Sequence, residues 1–341
     1  MKPIVGITLG DPCGIGPEIL AKALARREIY ERCRPLAVGS AKVLAQAARI
    51  AGAKLQVRPL ESIRDAVFEP GIADVLDMSI VDMDTLRLGE LQAQGGEAAF
   101  RAVEKVIELA MNGQIDATVT CPLNKEALHL AGHHYSGHTE IYAELTGTKD
   151  YSMMLADGLL RVVHVSTHVS LREACDLCKR ARVLEVIRLA DRACRELGMK
   201  APRIGVAGLN PHAGEHGLFG LEEIQEIGPA IEDARKEGIN AEGPLPPDTL
   251  FSKAKGGLYD IAVAQYHDQG HIPLKVIGFQ YDNTAGKWQS VTGVNVTLGL
   301  PIIRSSVDHG TAFDQAGKGT ANEESLINAI DYAIRLATSK R

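Results

Sequence analysis

Short apolar runs alternate with helix-like stretches along the chain. Ile4 to Leu9 is one apolar run, and the segment from Glu18 to Leu24 follows it with helical character. Ala117 to Thr120 is a second run, and another helical stretch begins at Asn124. Such alternation of strands and helices is typical of a largely parallel β-sheet covered by helices. The pattern therefore predicts the α/β fold class.

One helix is clear from its periodicity. Apolar residues recur at three- and four-residue intervals and are followed by Gly113, a residue type that commonly ends helices. We expect their shared face to pack on the sheet. The apolar positions are Ala99, Ala102, Val103, Val106, Ile107 and Ala110.

Length and composition narrow the classes of protein. A single hydrophobic core stops growing at roughly 250–300 residues, so this chain of 341 residues is expected to form two subdomains or one deeply cleft domain. Aromatic residues make up 4% of the chain and its net charge is −6, with no basic block. These values disfavour nucleic acid and anionic membranes as partners, because both attract basic and aromatic surfaces. We expect a small-molecule ligand.

The N-terminal apolar run is too short for a signal peptide, and no stretch reaches the roughly 20 apolar residues that span a bilayer. We therefore expect a cytoplasmic protein. Six cysteines are too few for a disulfide scaffold in so long a chain, so reduced thiols are expected. Cys175 and Cys178 form one C-x-x-C pair in a helix-like stretch, without a second pair to complete a zinc site.

All eleven histidines lie between positions 129 and 309, and three of them follow apolar runs. These three are His168, His212 and His267. Ligands of open α/β sheets bind outside the carboxyl ends of the strands, so the three imidazoles can converge there. Three neutral imidazoles suit zinc and similar divalent ions and leave coordination positions open for a substrate. The alternative is that each is a separate, hydrogen-bonded loop histidine, since strand order is not visible in the sequence.

Other polar residues are candidates for substrate binding. The cluster from Tyr135 to Glu140 offers hydrogen-bond donors beside a glycine, although Ser136 or Thr139 could equally cap a helix. Lys275 and Arg304 could hold an anionic substrate, or they could be solvated surface charges.

The segment from Gly10 to Glu18 follows the first predicted strand but lacks both G-x-G-x-x-G and the G-K-[ST] ending of a P-loop. Pro17 suits the first turn of the following helix. A classical Rossmann dinucleotide site is therefore disfavoured.

A series of motifs resembles the signature segments of one family, the 4-hydroxythreonine-4-phosphate dehydrogenases (PdxA). The motifs occur in the family's order over nearly the whole chain. They are Gly10-Asp11-Pro12, Gly14 to Glu18, Pro122 to Lys125, Gly137 to Glu140, Asn210 to Glu215, Tyr266 to Gly270 and Ser306 to Ala312.

The resemblance implies an isopropylmalate dehydrogenase-like fold with two α/β subdomains around a central cleft. One subdomain, on the cofactor side, would comprise residues 1–128 and 285–341, and the other, with the dimer interface, residues 129–284. The resemblance also implies a homodimer whose divalent metal site is shared between subunits. The implied metal ligands are His168, His212 and His267, and the implied substrate contacts are His138, Thr139, Lys275, Asn295 and Arg304.

The segment 308–322 resembles the part of isopropylmalate and isocitrate dehydrogenases that holds the adenosine half of the dinucleotide. This resemblance implies NAD or NADP as cofactor, although Thr311 and Phe313 stand where those enzymes have serine and proline. The implied cofactor-binding residues are Gly310, Thr311, Asp314 and Asn322.

Two departures from the biosynthetic enzymes bear on the substrate. His271-Ile272-Pro273 replaces a segment that usually contains leucine, and residues 280–293, with Trp288, look like an insertion. The His-Ile-Pro form looks more like paralogues that resemble 4-phospho-D-threonate and 4-phospho-D-erythronate dehydrogenases. Other relatives oxidise aromatic cis-dihydrodiol carboxylates.

The sequence therefore predicts a metal-dependent NAD(P) dehydrogenase. It would oxidise the 3-hydroxyl of a 4-phosphorylated four-carbon hydroxy acid, such as 4-hydroxythreonine-4-phosphate or 4-phospho-D-threonate or -erythronate, and decarboxylate the resulting β-keto acid. Zinc is the favoured metal, with magnesium, manganese and cobalt as alternatives, and no general base is assigned. The competing hypotheses are a dihydrodiol carboxylate dehydrogenase, a three-histidine zinc metallohydrolase and a non-catalytic metal- or phosphate-binding module. A hydrolase would have no need of the dinucleotide-like segment 308–322.

Overall fold

Strands and helices alternate along the chain as predicted, which confirms the α/β class. The computed structural model describes residues 1–283 and 287–339, with the backbone alone for 280–282 and 287–291. The strands are β1 (Ile4–Thr8), β2 (Arg34–Gly39), β3 (Gln56–Leu60), β4 (Ile72–Asp77), β5 (Ala117–Thr120), β6 (Ser152–Asp157), β7 (Leu160–His164), β8 (Ile204–Ala207), β9 (Ala241–Leu245), β10 (Ile261–Ala264), β11 (Phe279–Asp282), β12 (Lys287–Val291), β13 (Val294–Leu298) and β14 (Arg304–Val307).

The α-helices connect these strands. They are α1 (Gly16–Leu24), α2 (Arg27–Arg32), α3 (Ala41–Ile50), α4 (Ala93–Met111), α5 (Lys125–Leu130), α6 (His138–Thr146), α7 (Leu171–Leu177), α8 (Arg180–Glu196), α9 (Gly228–Lys236), α10 (Pro247–Lys255), α11 (His267–Gly278) and α12 (Glu324–Ser339). Short 3-10 turns cover Ile63–Asp65 and Pro211–Gly217, and a π-helical turn covers Glu223–Ile227.

The first of two compact units comprises Met1–Lys149 and Leu300–Arg341. Its strands are parallel and follow the order β3-β4-β2-β1-β5-β14. Helix α4 contains the predicted helical segment, and its apolar face, with Val103 and Val106, is buried in the core of this unit. Pro17 lies in the first turn of α1, as the sequence predicts.

The second unit comprises Asp150–Gly299. Its strands follow the order β13-β6-β7-β10-β8-β9, in which β7, β10, β8 and β9 are parallel. Strand β6 pairs antiparallel with both β13 and β7. The core of this unit is formed by apolar residues such as Leu155, Val162, Leu250 and Leu274.

The borders of these units lie at 149/150 and 299/300, later in the chain than the predicted 128/129 and 284/285. Helices α5 and α6 contact α4 and therefore belong to the first unit. Strand β13 pairs with β6, which places it in the second unit. The predicted insertion at 280–293 contains most of an antiparallel β11–β12 hairpin, while residues 284–286 and the Trp288 side chain lie outside the described structure.

Within the described ranges, none of the helices has the length and apolar character needed to cross a membrane. The six cysteines all lie in those ranges and are free thiols.

Candidate active site

The strands that precede the three predicted metal ligands are neighbours in the sheet of the second unit. Strand β10, before His267, pairs in parallel with β7, before His168, and with β8, before His212. The carboxyl ends of these strands therefore lie along one sheet edge, where α/β proteins bind ligands.

His168 and His267 meet at this edge. Their ring centroids are 6.0 Å apart, and His267 is the first residue of α11. Nδ1 of His267 lies 2.6 Å from the Asp268 carboxylate, so we assign the proton to Nδ1 and the lone pair to Nε2. A carboxylate partner of this kind is common for metal-binding histidines, because it orients the ring and makes the other nitrogen more basic. The pair fits a divalent cation, since imidazole is a typical zinc ligand at about 2.1 Å.

His212 does not join this pair within one chain. It lies exposed in the turn Pro211–Gly217, whose backbone runs through left-handed conformations at His212, Ala213 and Glu215. The buried Glu223 holds the start of this turn, because its carboxylate accepts a hydrogen bond from the backbone N–H of Asn210 at 2.7 Å. Among the described residues of a single chain, no three His, Cys, Asp or Glu side chains are grouped so as to hold a metal ion.

The structure adds two histidines that were not among the predicted site residues. The His271 ring stacks on His267 with 3.6 Å between centroids, and the centroid of the buried His164 ring lies 4.7 Å from that of His271. Burial lowers the pKa of His271 to about 4 and that of His164 to about 3. Both rings are therefore neutral at physiological pH. The signal for His271 was its position four residues after His267 on one helix, which places both on the same face.

Glycine is the only residue type that fits at position 270, beside the His164 ring. A Cβ atom at position 270 would clash with the His164 ring. The absence of a side chain at Gly270 thus lets helix α11 approach strand β7 closely.

In the first unit, Arg304 supplies a buried cation. It lies on β14 with 2% of its surface exposed, and its Nη2 donates to Thr120 Oγ1 at 3.0 Å. The guanidinium carbon lies 5.7 Å from the centroid of the Tyr142 ring. Burial lowers the pKa of Arg304 to about 10, so the group remains positively charged at neutral pH. The alternative of a solvated surface charge is wrong for this residue.

His138 and Thr139 are the first two residues of α6. The N-cap is Gly137, and in the described structure this helix start has no side-chain cap, so the alternative role of Ser136 or Thr139 as a helix cap is wrong. Nε2 of His138 is buried and has no hydrogen-bond partner among the described residues. Burial, followed by the charge of Arg304, holds the pKa of His138 well below its usual value. The site thus combines a neutral imidazole with a guanidinium cation.

Lys275 and Asn295 lie in the second unit. Lys275 is two helical turns beyond His267 on α11, and its Nζ lies 4.3 Å from the centroid of the Phe279 ring. Asn295 lies on β13, where its Nδ2 contacts the sulfur of Met153 at 2.8 Å. The buried Oδ1 of Asn295 has no hydrogen-bond partner within the described structure.

The four predicted cofactor-binding residues lie in one segment of the first unit. Gly310 and Asp314 are exposed, whereas Thr311 is buried. Asn322 accepts a hydrogen bond from the backbone N–H of Glu324 at 2.7 Å, so its Oδ1 caps the start of α12. An exposed segment of this kind can contact a dinucleotide through its backbone and through Asp314.

Known proteins resemble the chain over nearly its whole length. The family model described as pyridoxal phosphate biosynthetic protein PdxA matches residues 31–333. The D-threonate 4-phosphate dehydrogenase of Salmonella typhimurium is 49% identical over 335 residues, and this alignment covers 98% of each chain. A crystal structure of 4-hydroxythreonine-4-phosphate dehydrogenase from Klebsiella pneumoniae has a TM-score of 0.86 and 45% identity, with 99% of this chain and 98% of that chain covered. A terephthalate 1,2-cis-dihydrodiol dehydrogenase from Burkholderia xenovorans has a TM-score of 0.67 and 30% identity, with 98% of each chain covered.

The fold and these relatives define an oxidoreductase that acts on a CH–OH group. The chain belongs to the PdxA family, which confirms the resemblance of its motifs. The metallohydrolase and the non-catalytic binding module are set aside, because the relatives are dehydrogenases.

Proposed function

We propose that the protein oxidises the 3-hydroxyl of a 4-phosphorylated four-carbon hydroxy acid with NAD or NADP, with D-threonate 4-phosphate as the first candidate. The observation that carries this proposal is the 49% identity, over nearly all of both chains, with a D-threonate 4-phosphate dehydrogenase. Identity with the dihydrodiol dehydrogenase is 30%. 4-Hydroxythreonine-4-phosphate and D-erythronate 4-phosphate are the next candidates.

The charges of the candidate site support a substrate with anionic groups. The buried guanidinium of Arg304 and the ammonium of Lys275 suit a phosphate and a carboxylate, since charge-assisted hydrogen bonds are among the strongest available. The neutral His138 ring beside Arg304 adds a hydrogen-bonding group without cancelling the positive charge. Thr139 and Asn295 are proposed to complete the substrate contacts.

His168 and His267 are proposed to hold a divalent cation, with zinc favoured over magnesium, manganese or cobalt because its ligands would be imidazoles. Such an ion supplies positive charge that polarises the hydroxyl oxygen of the substrate. Asp268 keeps the proton on Nδ1 of His267, so that Nε2 remains available.

The reaction proceeds in two steps. Hydride leaves C3 of the substrate for the nicotinamide ring, and the hydroxyl proton is released. The product is a β-keto acid. Its C1–C2 bond then breaks with release of CO₂, the bonding electrons form an enolate with the 3-carbonyl, and C2 takes up a proton. Gly310, Thr311, Asp314 and Asn322 are proposed to hold the adenosine half of NAD or NADP.

The third metal ligand, His212, is proposed to come from a second copy of the chain. Large apolar side chains near it are exposed, with Leu218 at 72% and Ile224 at 55%. Clustered exposed apolar side chains are typical of protein interfaces. A homodimer that buries this segment can place His212 of the partner subunit beside His168 and His267.

The experiment is a reduced-nicotinamide absorbance assay with NAD and NADP. The substrates are D-threonate 4-phosphate, D-erythronate 4-phosphate, 4-hydroxythreonine-4-phosphate and an aromatic cis-dihydrodiol carboxylate. We expect turnover of a phosphorylated acid, with one CO₂ released for each nicotinamide reduced. Equal turnover of the dihydrodiol would overturn the proposed substrate class, and reduction without CO₂ release would overturn decarboxylation alone.

A further inference from the structure

The motif from Gly10 to Glu18 lacks the sequence of a nucleotide-binding loop. In the structure it lies against residues 310–322, the proposed cofactor segment. Glu18 is buried, with 3% of its surface exposed. One carboxylate oxygen accepts a hydrogen bond from the backbone N–H of Gly317 at 2.6 Å, and the other accepts from Gly319 at 2.8 Å. A single side chain of α1 therefore links two backbone groups of the segment 315–321.

Further contacts extend this attachment along α1. Lys22 donates from Nζ to the carbonyl of Ala321 at 2.6 Å, and Arg26, just after the helix, forms an ion pair with Glu323. Glu18 and Lys22 are four residues apart in α1, so they lie on one side of the helix. Glu18 and Lys22 thus contact the segment itself, and Arg26 contacts the residue just beyond its end.

The start of the same segment is held by Gly14 and by the backbone of Ile15. The N–H of Ile15 donates to the carbonyl of Thr311 at 3.0 Å. A Cβ atom at Gly14 would lie 2.8 Å from that carbonyl oxygen, so a larger residue would force the segment away. The motif therefore fixes the cofactor segment at both ends.

We infer that Glu18 is a positioning residue for the dinucleotide: its carboxylate holds Gly317 and Gly319 so that the 310–322 segment keeps its binding shape. This inference rests on the proposed cofactor role of that segment. A carboxylate suits the task because it offers an acceptor to each N–H, whereas an amide offers one acceptor and places an N–H₂ group against the second N–H.

The test compares Glu18→Gln with Glu28→Gln, a matched change at an exposed glutamate of α2. Charge-assisted hydrogen bonds are strong enough that Glu18→Gln should raise the KM for the dinucleotide about tenfold or more. The KM for the phosphorylated acid and kcat at saturating dinucleotide should stay within about twofold of the unmodified enzyme. Amide hydrogen exchange over residues 315–321 should also become faster in Glu18→Gln, whereas Glu28→Gln should match the unmodified protein.

Lys22→Met provides a second variant if Glu18→Gln does not fold. It removes one contact to Ala321 and should raise the same KM in the same direction by a smaller factor. Unchanged dinucleotide KM and unchanged exchange in a folded variant would overturn the positioning role. Asp314→Ala and Asn322→Ala separate the two proposals: if they raise the dinucleotide KM while Glu18→Gln does not, only the role of Glu18 is wrong. If none of these variants alters that KM, the cofactor segment itself is misassigned.

Discussion

The imidazole rings of His267 and His271 stack face to face, with 3.6 Å between their centroids and 13° between their planes. The neutral His271 ring carries its proton on Nδ1, which donates a hydrogen bond to the carbonyl oxygen of His267 at 2.9 Å. The lone pairs of stacked rings lie in parallel planes, so the two rings cannot both point at one ion. His271 therefore supports the ring of His267 rather than sharing its proposed role as a ligand.

The first prediction follows from this stack. His271→Leu should weaken metal binding by about tenfold, because residues that orient a metal ligand typically contribute that much to affinity. Binding should be measured by competition with a chromophoric chelator. His134→Leu, at an exposed histidine in the first unit, is the matched control. Equal metal affinity of the two variants would contradict a supporting role for His271.

The second prediction concerns the proposed metal. Chelation should abolish turnover, and zinc, cobalt, manganese or magnesium should restore it to differing degrees, because the neutral imidazoles supply no charge of their own. His168→Ala, His212→Ala and His267→Ala should each fold and lack stoichiometric metal by elemental analysis. The metal-dependent mechanism would be refuted by full activity in protein shown to be free of metal.

The third prediction tests the shared site. His212→Ala and His267→Ala should each be inactive alone, and mixing the two chains should restore part of the activity. Restoration requires mixed dimers, in which one of the two sites has an intact set of ligands. A fully active monomer, measured by sedimentation during turnover, would exclude a site shared between subunits.

The fourth prediction concerns the substrate anions. Arg304→Gln and Lys275→Gln should each lower kcat/KM for the phosphorylated acid by about ten- to a hundredfold, the usual worth of one charge-assisted contact. The variant that has lost the phosphate contact should leave the poor activity on the dephosphorylated analogue nearly unchanged. Lys253→Gln, at an exposed lysine of α10, is the control. Equal losses on both compounds would assign the residue to the carboxylate instead.

The fifth prediction concerns Asp11, a buried residue of the Gly10 to Glu18 motif. Burial raises the pKa of its carboxyl group from 3.8 to about 6, although Oδ1 accepts a hydrogen bond from the backbone N–H of Cys13. Between about pH 4 and pH 6 the folded state keeps a proton that the unfolded chain has released, so this group lowers the free energy of unfolding as pH rises. Asp11→Asn removes this ionisation. The free energy of unfolding of the variant, relative to that of the unmodified protein, should therefore increase by on the order of 3 kcal/mol between about pH 4 and pH 8.

Urea unfolding at the two pH values measures this difference. Asp84→Asn, at an exposed aspartate, should show no comparable change between them. A stability difference for Asp11→Asn that is the same at both pH values would show that Asp11 does not titrate in this window.

Local patterns in the sequence were sufficient to predict the elements that carry the site. The apolar spacing of α4, the strand before His267 and the place of Pro17 in α1 depend on residues within a few positions of one another. Helix periodicity and backbone restriction by proline act over that range. The α/β class, and the position of the histidines just after strands, could therefore be predicted from the sequence.

The tertiary structure alone decided which of these residues meet. Strand order brings the ends of β7, β10 and β8 to one edge, where His168 meets His267, and no local pattern encodes that order. The left-handed turn Pro211–Gly217 leaves His212 apart within one chain. The contact between Glu18 and Gly317 joins residues 299 positions apart. It exists because β14 pairs beside β5, which itself pairs beside β1, so that the segments after β1 and β14 lie at one edge. Contacts of this kind depend on how remote strands pair when the core is buried, and that pairing is a property of the whole chain.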